Sequence, residues 1–139
     1  MSADQKATSR QLLELWGDNA VHRAADYLAD TYVNHQLPDA AGGTSSKSLA
    51  EWKELVANFH QGHTDVKMEI LEQVAEGDYV CSRWRMTARH TGSFADVPAT
   101  GKTTTWTGVH TDRYAGEKLV ESWVDWDKYS YLEGLGLVD

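Results

Sequence analysis

Several features are scarce in this sequence, and each scarcity excludes a class of protein. The 139 residues include one cysteine, Cys81, so no internal disulfide can hold the chain. No run of about eighteen apolar residues occurs, which is the length that a membrane-spanning helix needs. The first residues, Met1 to Lys6, lack the basic start and apolar stretch of a secretion signal. We therefore expect a cytoplasmic protein with no membrane partner.

Positive charge is also in deficit. There are 13 lysine and arginine residues against 21 aspartate and glutamate residues, which gives a net charge of −8 at pH 7. The electric field of a negatively charged protein repels phosphate backbones, so we expect no nucleic-acid partner. His60 and His63 have helical spacing, but no cysteine, carboxylate or further histidine joins them at the spacing of a metal site. We expect no metal.

Tryptophan, in contrast, is abundant, with 6 tryptophans against 2 phenylalanines. A large ring with one polar handle suits the wall of a partly wet cavity or a protein interface, and ordinary core packing is the alternative. Trp84, Trp106 and Trp126 are our candidates for the wall of a cavity. Trp123 is predicted to face outward from a sheet, where a partner subunit would cover it. We expect a homodimer.

The first third of the chain predicts helices. Apolar residues recur at helical spacing from Asp4 to Tyr32, with a break between two helices at Gly17-Asp18-Asn19. Residues 34–46 are polar and rich in glycine, which predicts a surface loop. A third helix is predicted to begin behind Ser46 or Ser48, because Glu51 stands three residues after Ser48 as in a capping box.

After Gly62 the apolar period changes to two, which indicates strands. Strands are predicted near residues 66–71, 79–90, 102–114 and 119–127, followed by a short helical or irregular tail. Helices followed by hairpin-linked strands are typical of α+β folds. We predict one domain, residues 1–139, in which a curved antiparallel sheet wraps around the N-terminal helices as a cone with an internal pocket.

Three groups of residues carry a resemblance to a known family. They are Thr31-Tyr32-Val33-Asn34-His35, the loop from His90-Thr91-Gly92-Ser93-Phe94 to Pro98-Ala99-Thr100-Gly101-Lys102, and Glu121-Ser122-Trp123-Val124-Asp125-Trp126-Asp127. In this order they resemble the SnoaL-like polyketide cyclases, which have a nuclear-transport-factor-2-like α+β barrel fold. The resemblance implies a cofactor-independent intramolecular aldol condensation of a hydrophobic, carbonyl-bearing polyketide ester, with an aspartate as acid and base.

The resemblance also implies site residues. Asn34 matches a pocket asparagine of the family, and His110 matches a pocket histidine. His35, next to Asn34, is either a further pocket residue or a surface histidine. The family often places its acid/base aspartate directly after a tryptophan, where this chain has Val124.

Two aspartates are candidates for the missing acid/base. In a regular strand Val124 and Trp126 share one face while Trp123 and Asp125 share the other, so Asp125 enters the pocket only if a β-bulge shifts the register. Asp127 matches a second aspartate of the family, but a capping role for it is more plausible. Both aspartates are otherwise solvated charges at the end of a strand.

Two functions therefore stay open. One is a cofactor-independent cyclase or isomerase that uses His110, Asn34 and an aspartate near Trp126. The other is a non-catalytic small-molecule-binding or accessory protein, in which Val124 marks the loss of the acid/base. A third, epoxide hydrolysis, needs an Asp-Arg-Asp set, and the residues Asp112-Arg113 and Asp125 are not spaced to suggest one.

Overall fold

The computed structural model describes residues 2–38, 45–94 and 97–138. The helices are α1 (Ser2–Asp18), α2 (Leu49–Gly62) and α3 (Lys128–Gly134), with a short 3₁₀ helix at Val21–Asp26. The strands are β1 (Leu28–Leu37), β2 (His63–Glu76), β3 (Tyr79–His90), β4 (Thr103–Ala115) and β5 (Lys118–Trp126).

The five strands form one curved sheet in the order β1-β5-β4-β3-β2. Strands β2 to β5 pair antiparallel with their neighbours, whereas β1 pairs parallel to β5. The helices pack on the concave face of the sheet, which is not closed into a complete barrel. The predicted α+β cone is therefore confirmed, with the refinement that its sheet is mixed.

Strand β1 corrects part of the sequence prediction. The sequence predicts the end of a helix and the start of a loop for residues 28–37. The structure has a strand there, in which Tyr32, Asn34 and Gln36 are buried. The helical spacing before it belongs to the short 3₁₀ helix, and the strand is stabilised by pairing with β5, nearly ninety residues later. Residues 39–44 of the predicted loop lie outside the described residues.

Helix α2 begins as predicted. The Ser48 side chain accepts a hydrogen bond of 3.1 Å from the Glu51 backbone N–H, and the Glu51 carboxylate accepts one of 2.8 Å from the Lys47 N–H. Both bonds satisfy backbone donors that have no partner within the helix. The buried stripe of the helix consists of the apolar residues expected from its spacing, namely Leu49, Trp52, Leu55, Val56 and Phe59.

Strand β3 alternates as its sequence predicts. Trp84 and Met86 are buried on the concave face. On the opposite face Arg83 and Arg85 form ion pairs of 2.6 Å with Glu72 and Glu69 of β2. Cross-strand pairing therefore accounts for the position of these two arginines.

Within residues 2–38, 45–94 and 97–138, no helix is long and apolar enough to cross a membrane.

Gly108 allows the Trp84 indole to lie across the sheet. It is paired with Trp84 on β3 and Trp126 on β5. A Cβ added at Gly108 would overlap the six-membered ring of Trp84 and stand 2.8 Å from the Asp125 carbonyl oxygen. Only glycine leaves the space that this tryptophan needs.

We predict that Gly108→Ala lowers the free energy of unfolding by about 1–3 kcal/mol, because the extra methyl forces Trp84 out of place. Urea unfolding followed by tryptophan fluorescence measures the change. Thr107→Ala, on the exposed face of the same strand, is the control and should change stability by less than about 0.5 kcal/mol. Equal stability of Gly108→Ala and the parent would contradict this packing.

Candidate ligand-binding and active site

A narrow apolar pocket lies between the concave face of the sheet and helices α1, α2 and α3. Its cavity volume is ≈ 50 Å³, within a space of ≈ 520 Å³ between the lining atoms that includes the open mouth. Its wall is mostly aromatic, formed by Trp16, Phe59, Trp84, Phe94, Trp106, Trp126 and Tyr131. The polar lining residues are Gln36 and His110. A slot between flat rings suits a flat, hydrophobic ligand with few polar groups.

Four residues named from the sequence lie in this wall: Trp84, Trp106, Trp126 and His110. Trp84 and Trp106 are almost fully buried, whereas the half-buried Trp126 donates a hydrogen bond of 2.8 Å from Nε1 to the Pro38 carbonyl oxygen. The structure thus brings these four together. Their roles toward a ligand stay a prediction.

The sheet register explains the polar end of the pocket. His110 on β4 is paired with Val124 on β5, and Val124 is paired in turn with Gln36 on β1. These three residues form one row across the concave face. Val124 is 2% exposed and lies between the two polar side chains. The row therefore has an apolar centre between two polar ends.

Asp125 does not enter the pocket. The pairing of β4 with β5 is continuous from Arg113 and Glu121 to Gly108 and Trp126, and the one irregularity lies beyond it, next to Tyr114. No bulge therefore turns the strand where the sequence hypothesis needed one. Asp125 is exposed on the convex face, so its proposed place beside His110 is corrected.

Asp127 also lies outside the pocket wall, where it caps helix α3. Its carboxylate accepts hydrogen bonds of 2.9 Å from the Ser130 N–H and 2.6 Å from the Ser130 hydroxyl. These bonds hold the pKa of Asp127 below its usual value. The capping interpretation is confirmed, and the candidate role of Asp127 as an acid/base in the pocket is not supported by its position.

His35 is on the wrong face of β1 for the pocket. Strand alternation places it opposite Asn34 and Gln36, where its ring stacks on Trp123 with 5.6 Å between ring centroids. Its Nε2 lies 2.8 Å from the Glu121 carboxylate. The surface alternative left open by the sequence is therefore correct, because β1 is a strand and not a loop.

Asn34 is fully buried but stands behind the wall. Its Nδ2 donates a 2.8 Å hydrogen bond to the Tyr32 phenol, and its Oδ1 accepts one from the Gln36 side-chain amide. Gln36 is the neighbour that reaches the pocket. Asn34 thus supports a lining residue and does not line the pocket itself.

His110 is the chemically distinctive group of the pocket. The Trp84 Nε1–H donates a 2.8 Å hydrogen bond to His110 Nδ1. An indole nitrogen can only donate, so Nδ1 is unprotonated and the ring carries its proton on Nε2. Burial lowers the pKa of His110 to about 3, which keeps the imidazole neutral.

The Nε2–H of His110 is a hydrogen-bond donor in a fixed position. It is buried, and it has no hydrogen-bond partner among the described residues. An unpaired buried donor costs about 1–3 kcal/mol, and a ligand oxygen that enters the pocket would remove that cost. A fixed donor in an apolar site is also the arrangement that stabilises negative charge on a carbonyl oxygen.

The opposite wall is held by a second histidine. The Tyr131 hydroxyl donates to His63 Nε2 at 2.8 Å, and His63 Nδ1–H donates to the Phe59 carbonyl oxygen at 2.8 Å. Burial lowers the pKa of His63 to about 4, so this ring is neutral as well. His63 therefore holds Tyr131 in the pocket wall.

Across residues 2–38, 45–94 and 97–138, no three histidine, cysteine or acidic side chains form a group that could hold a metal ion.

Sequence reasoning missed Gln36, Tyr131 and Asp112. Gln36 was hidden because β1 was assigned to a loop, although the spacing of Tyr32, Asn34 and Gln36 is that of one strand face. Tyr131 lies on α3, a helix of seven residues with too few positions for a period to show. Asp112 was named only beside Arg113, although it stands two residues after His110 and so shares its face.

The curved mixed sheet with helices on its concave face defines an α+β fold class, and comparison with known proteins identifies the family. Residues 6–135 match the SnoaL-like polyketide cyclases. The chain belongs to this family. No match is found among curated protein sequences.

Solved structures agree with this assignment. A proposed polyketide cyclase from Acidithiobacillus ferrooxidans is 25% identical with a TM-score of 0.82, over 100% of this chain and 99% of that one. AclR, a proposed hydroxylase from Streptomyces galilaeus, is 24% identical with a TM-score of 0.83, over 100% and 89% of the two chains. A proposed SnoaL-like polyketide cyclase from a Jannaschia species is 15% identical with a TM-score of 0.86, over 100% and 96%. These proteins are described with different activities, so the fold does not select the chemistry.

We predict that His110 stays neutral and protonated on Nε2 at every pH above about 5. Its pKa is lowered from 6.5 on folding, so the unfolded chain binds the proton more readily. The contribution of His110 to the free energy of unfolding therefore falls as the pH drops from 6.5 toward 3.

Nitrogen-15 NMR of the histidine side chains tests this prediction. The parent should show the Nε2–H tautomer without titration, whereas Trp84→Phe, which removes the donor to Nδ1, should lose the tautomer preference. An Nδ1–H signal or an imidazolium in the parent at neutral pH would contradict the assignment.

Proposed function

We propose that this chain binds a flat, hydrophobic, carbonyl-bearing molecule of the polyketide kind and polarises its carbonyl oxygen through His110. The observation that carries the proposal is the neutral Nε2–H of His110, which has no partner among the described residues and belongs to a pocket lined mostly by aromatic and aliphatic side chains. Membership of the SnoaL-like polyketide cyclases supports the class of ligand. No cofactor is needed for this step.

The proposed chemistry is a cyclase- or isomerase-type enolisation. A hydrogen bond from His110 Nε2–H withdraws electrons from the carbonyl oxygen, which makes the neighbouring carbon–hydrogen bond more acidic. Water or a basic group of the ligand takes up that proton, and the electrons of the broken bond move to the oxygen, where His110 stabilises the enolate. The enolate carbon can attack a second carbonyl in an aldol ring closure or take a proton back as an isomer.

A non-catalytic binding protein is the second candidate, and one observation favours it. The residues that line the pocket include no carboxylate, and Val124 occupies the place of the family's acid/base. Asp125 is exposed on the other face. In this second function the pocket holds the carbonyl compound without accelerating proton removal.

Hydrogen exchange of a simple ketone separates the two functions. We predict that the parent protein binds beta-tetralone and accelerates exchange of its acidic protons in deuterium oxide, followed by proton NMR. His110→Phe should abolish the acceleration, because the ring keeps its bulk but loses the donor. Binding without acceleration would establish the binding protein instead, and failure to bind would overturn both functions.

Restoring the carboxylate gives a sharper test. Val124→Asp places a carboxylate between His110 and Gln36 and should raise the exchange rate by about 10²-fold or more, the usual effect of a positioned base. Val124→Asn is the matched control, with the same shape and no basic group. Equal rates for the two variants would show that position 124 is not a site for the base.

We also propose that the convex face around Trp123 is the interface of a homodimer. Trp123 is only half-buried and stacks on His35, and two residues before it on β5 Glu121 forms ion pairs with His35 and with Arg113 of β4. An aromatic pair surrounded by charged groups is the usual composition of an interface centre and rim.

Sedimentation velocity tests the dimer. The parent should sediment as a dimer and Trp123→Glu as a monomer, because a charge at the centre of the interface is left unpaired. Tyr129→Glu, at a ring that is 53% exposed on helix α3, is the control and should remain a dimer. A monomeric parent would overturn the proposal.

A further inference from the structure

Tyr131 and His63 form a hydrogen-bonded pair at the wall of the pocket. Tyr131 lines the pocket, and its hydroxyl lies 2.8 Å from His63 Nε2. His63 Nδ1 lies 2.8 Å from the Phe59 carbonyl oxygen, which can only accept a hydrogen bond. Nδ1 therefore carries the proton of the neutral ring, and Nε2 presents a lone pair to the Tyr131 O–H. We call these two residues the Tyr131–His63 pair.

The fold holds both partners in place. His63 is buried at the start of β2, directly after helix α2. Tyr131 is buried on α3, where the Thr104 hydroxyl of β4 donates a hydrogen bond of 2.9 Å to the Tyr131 carbonyl oxygen. Asp127 caps the same helix. The phenol therefore meets the imidazole in one geometry, and the phenol oxygen keeps lone pairs that can accept a further hydrogen bond.

The Tyr131–His63 pair defines a path for a proton. His63 is not among the residues that line the pocket, so Tyr131 is its connection to the ligand. The Tyr131 oxygen can receive a proton from the pocket side while its own proton passes to His63 Nε2. Burial raises the pKa of Tyr131, so the phenol does not ionise by itself. It is neutral before and after the transfer, and it acts as a carrier.

The surroundings of His63 can stabilise the charge that such a transfer leaves on the ring. Burial lowers the pKa of His63 to about 4, and the bond from Nδ1–H to the Phe59 carbonyl oxygen opposes that shift. The Phe59 ring stacks on the imidazole with 4.2 Å between the ring centroids. An aromatic face within about 6 Å attracts a cation.

His63 is a base of sufficient strength. Its pKa of about 4 lies in the range of ordinary carboxylates, and an aspartate with a pKa of about 4.6 acts as a general base toward ketones. The titratable groups that influence His63 are His90 of β3 and His60 of α2, and Tyr131 of α3 is bonded to it. At neutral pH the imidazole is therefore unprotonated at Nε2 and ready to accept.

We propose that the Tyr131–His63 pair accepts the proton that the ligand loses, so that this site has a base although its wall has no carboxylate. The inference rests on the proposed function for its carbonyl end, at His110. Tyr131 is a catalytic residue, because it touches the water that takes up the proton. His63 acts through Tyr131.

The proposed transfer balances in atoms and charge. The carbon–hydrogen bond of the ligand breaks, and its proton joins a water molecule beside Tyr131. That water gives another of its protons to the Tyr131 oxygen as the phenol proton joins His63 Nε2. The electrons of the broken bond move to the carbonyl oxygen, where His110 stabilises the enolate. One positive charge then lies on His63, and the proton returns to the product by the same path.

Exchange of the acidic protons of beta-tetralone in deuterium oxide tests the pair. Tyr131→Phe keeps the ring and removes the hydroxyl, so the exchange rate at neutral pH should fall by about 10²-fold or more. His63→Gln should cause a similar loss, because an amide can keep both hydrogen bonds of the ring but cannot take up the proton. His90→Gln is the matched control and should leave the rate unchanged. Its ring is also buried, with its centroid 5.5 Å from that of His63.

The pH dependence separates a proton acceptor from a residue that only holds the wall. In the parent the exchange rate should stay level between about pH 6 and pH 8, because His63 has a pKa of about 4 and is unprotonated throughout. In His63→Gln the residual exchange should rise in proportion to the hydroxide concentration, since no internal base remains. A rate in His63→Gln that is low but level would assign His63 a structural role and overturn the proposal.

The remaining outcomes are distinct. If the parent does not accelerate exchange, or His110→Phe accelerates it equally well, the proposed function fails and this inference with it. If the acceleration depends on His110 but persists in Tyr131→Phe or in His63→Gln, only this inference is overturned. Thermal melts show which variants are folded, and if one of the two is not, the other variant and the pH profile of the parent decide.

Discussion

The parallel pairing of β1 with β5 determines which side chains reach the pocket. It joins residues 28–37 to the last strand of the sheet, and in doing so places Gln36 beside Val124 and Asn34 beside Ser122. A shift of one residue would turn His35 and Val33 inward and expose the amides that now line or support the pocket. The polar end of the site and the buried row beneath it both follow from this register.

The histidine and the glutamine are oriented by different means. His110 is fixed by a single donor, since the Trp84 indole can only give a proton, and the space for that indole depends on the absence of a side chain at Gly108. Gln36 is held by its neighbour on the same strand face, because its Nε2 donates to Asn34 Oδ1. One tryptophan thus decides the tautomer of the histidine, and one asparagine holds the amide of the glutamine.

The sequence was sufficient where a local pattern determines the structure. Alternation predicted β3, β4 and β5, the spacing around Ser48 predicted the start of α2, and parity predicted that Asp125 faces outward unless a bulge intervenes. It was insufficient for β1, because the strand is stabilised by partners far along the chain and its own residues also fit a helix end. The undecided place of His35 and the omission of Gln36 both came from that one element.

The apolar neighbour Val124 leaves His110 neutral. A carboxylate within about 4–6 Å would favour the charged imidazolium, because it would stabilise the positive charge. With valine paired to His110, burial is the dominant influence, which lowers the pKa of His110 to about 3 and keeps a neutral donor in place. The proposed polarisation of a carbonyl group depends on this donor. The residues that line the pocket include no carboxylate, so in the proposed function the proton would pass to the ligand or to water.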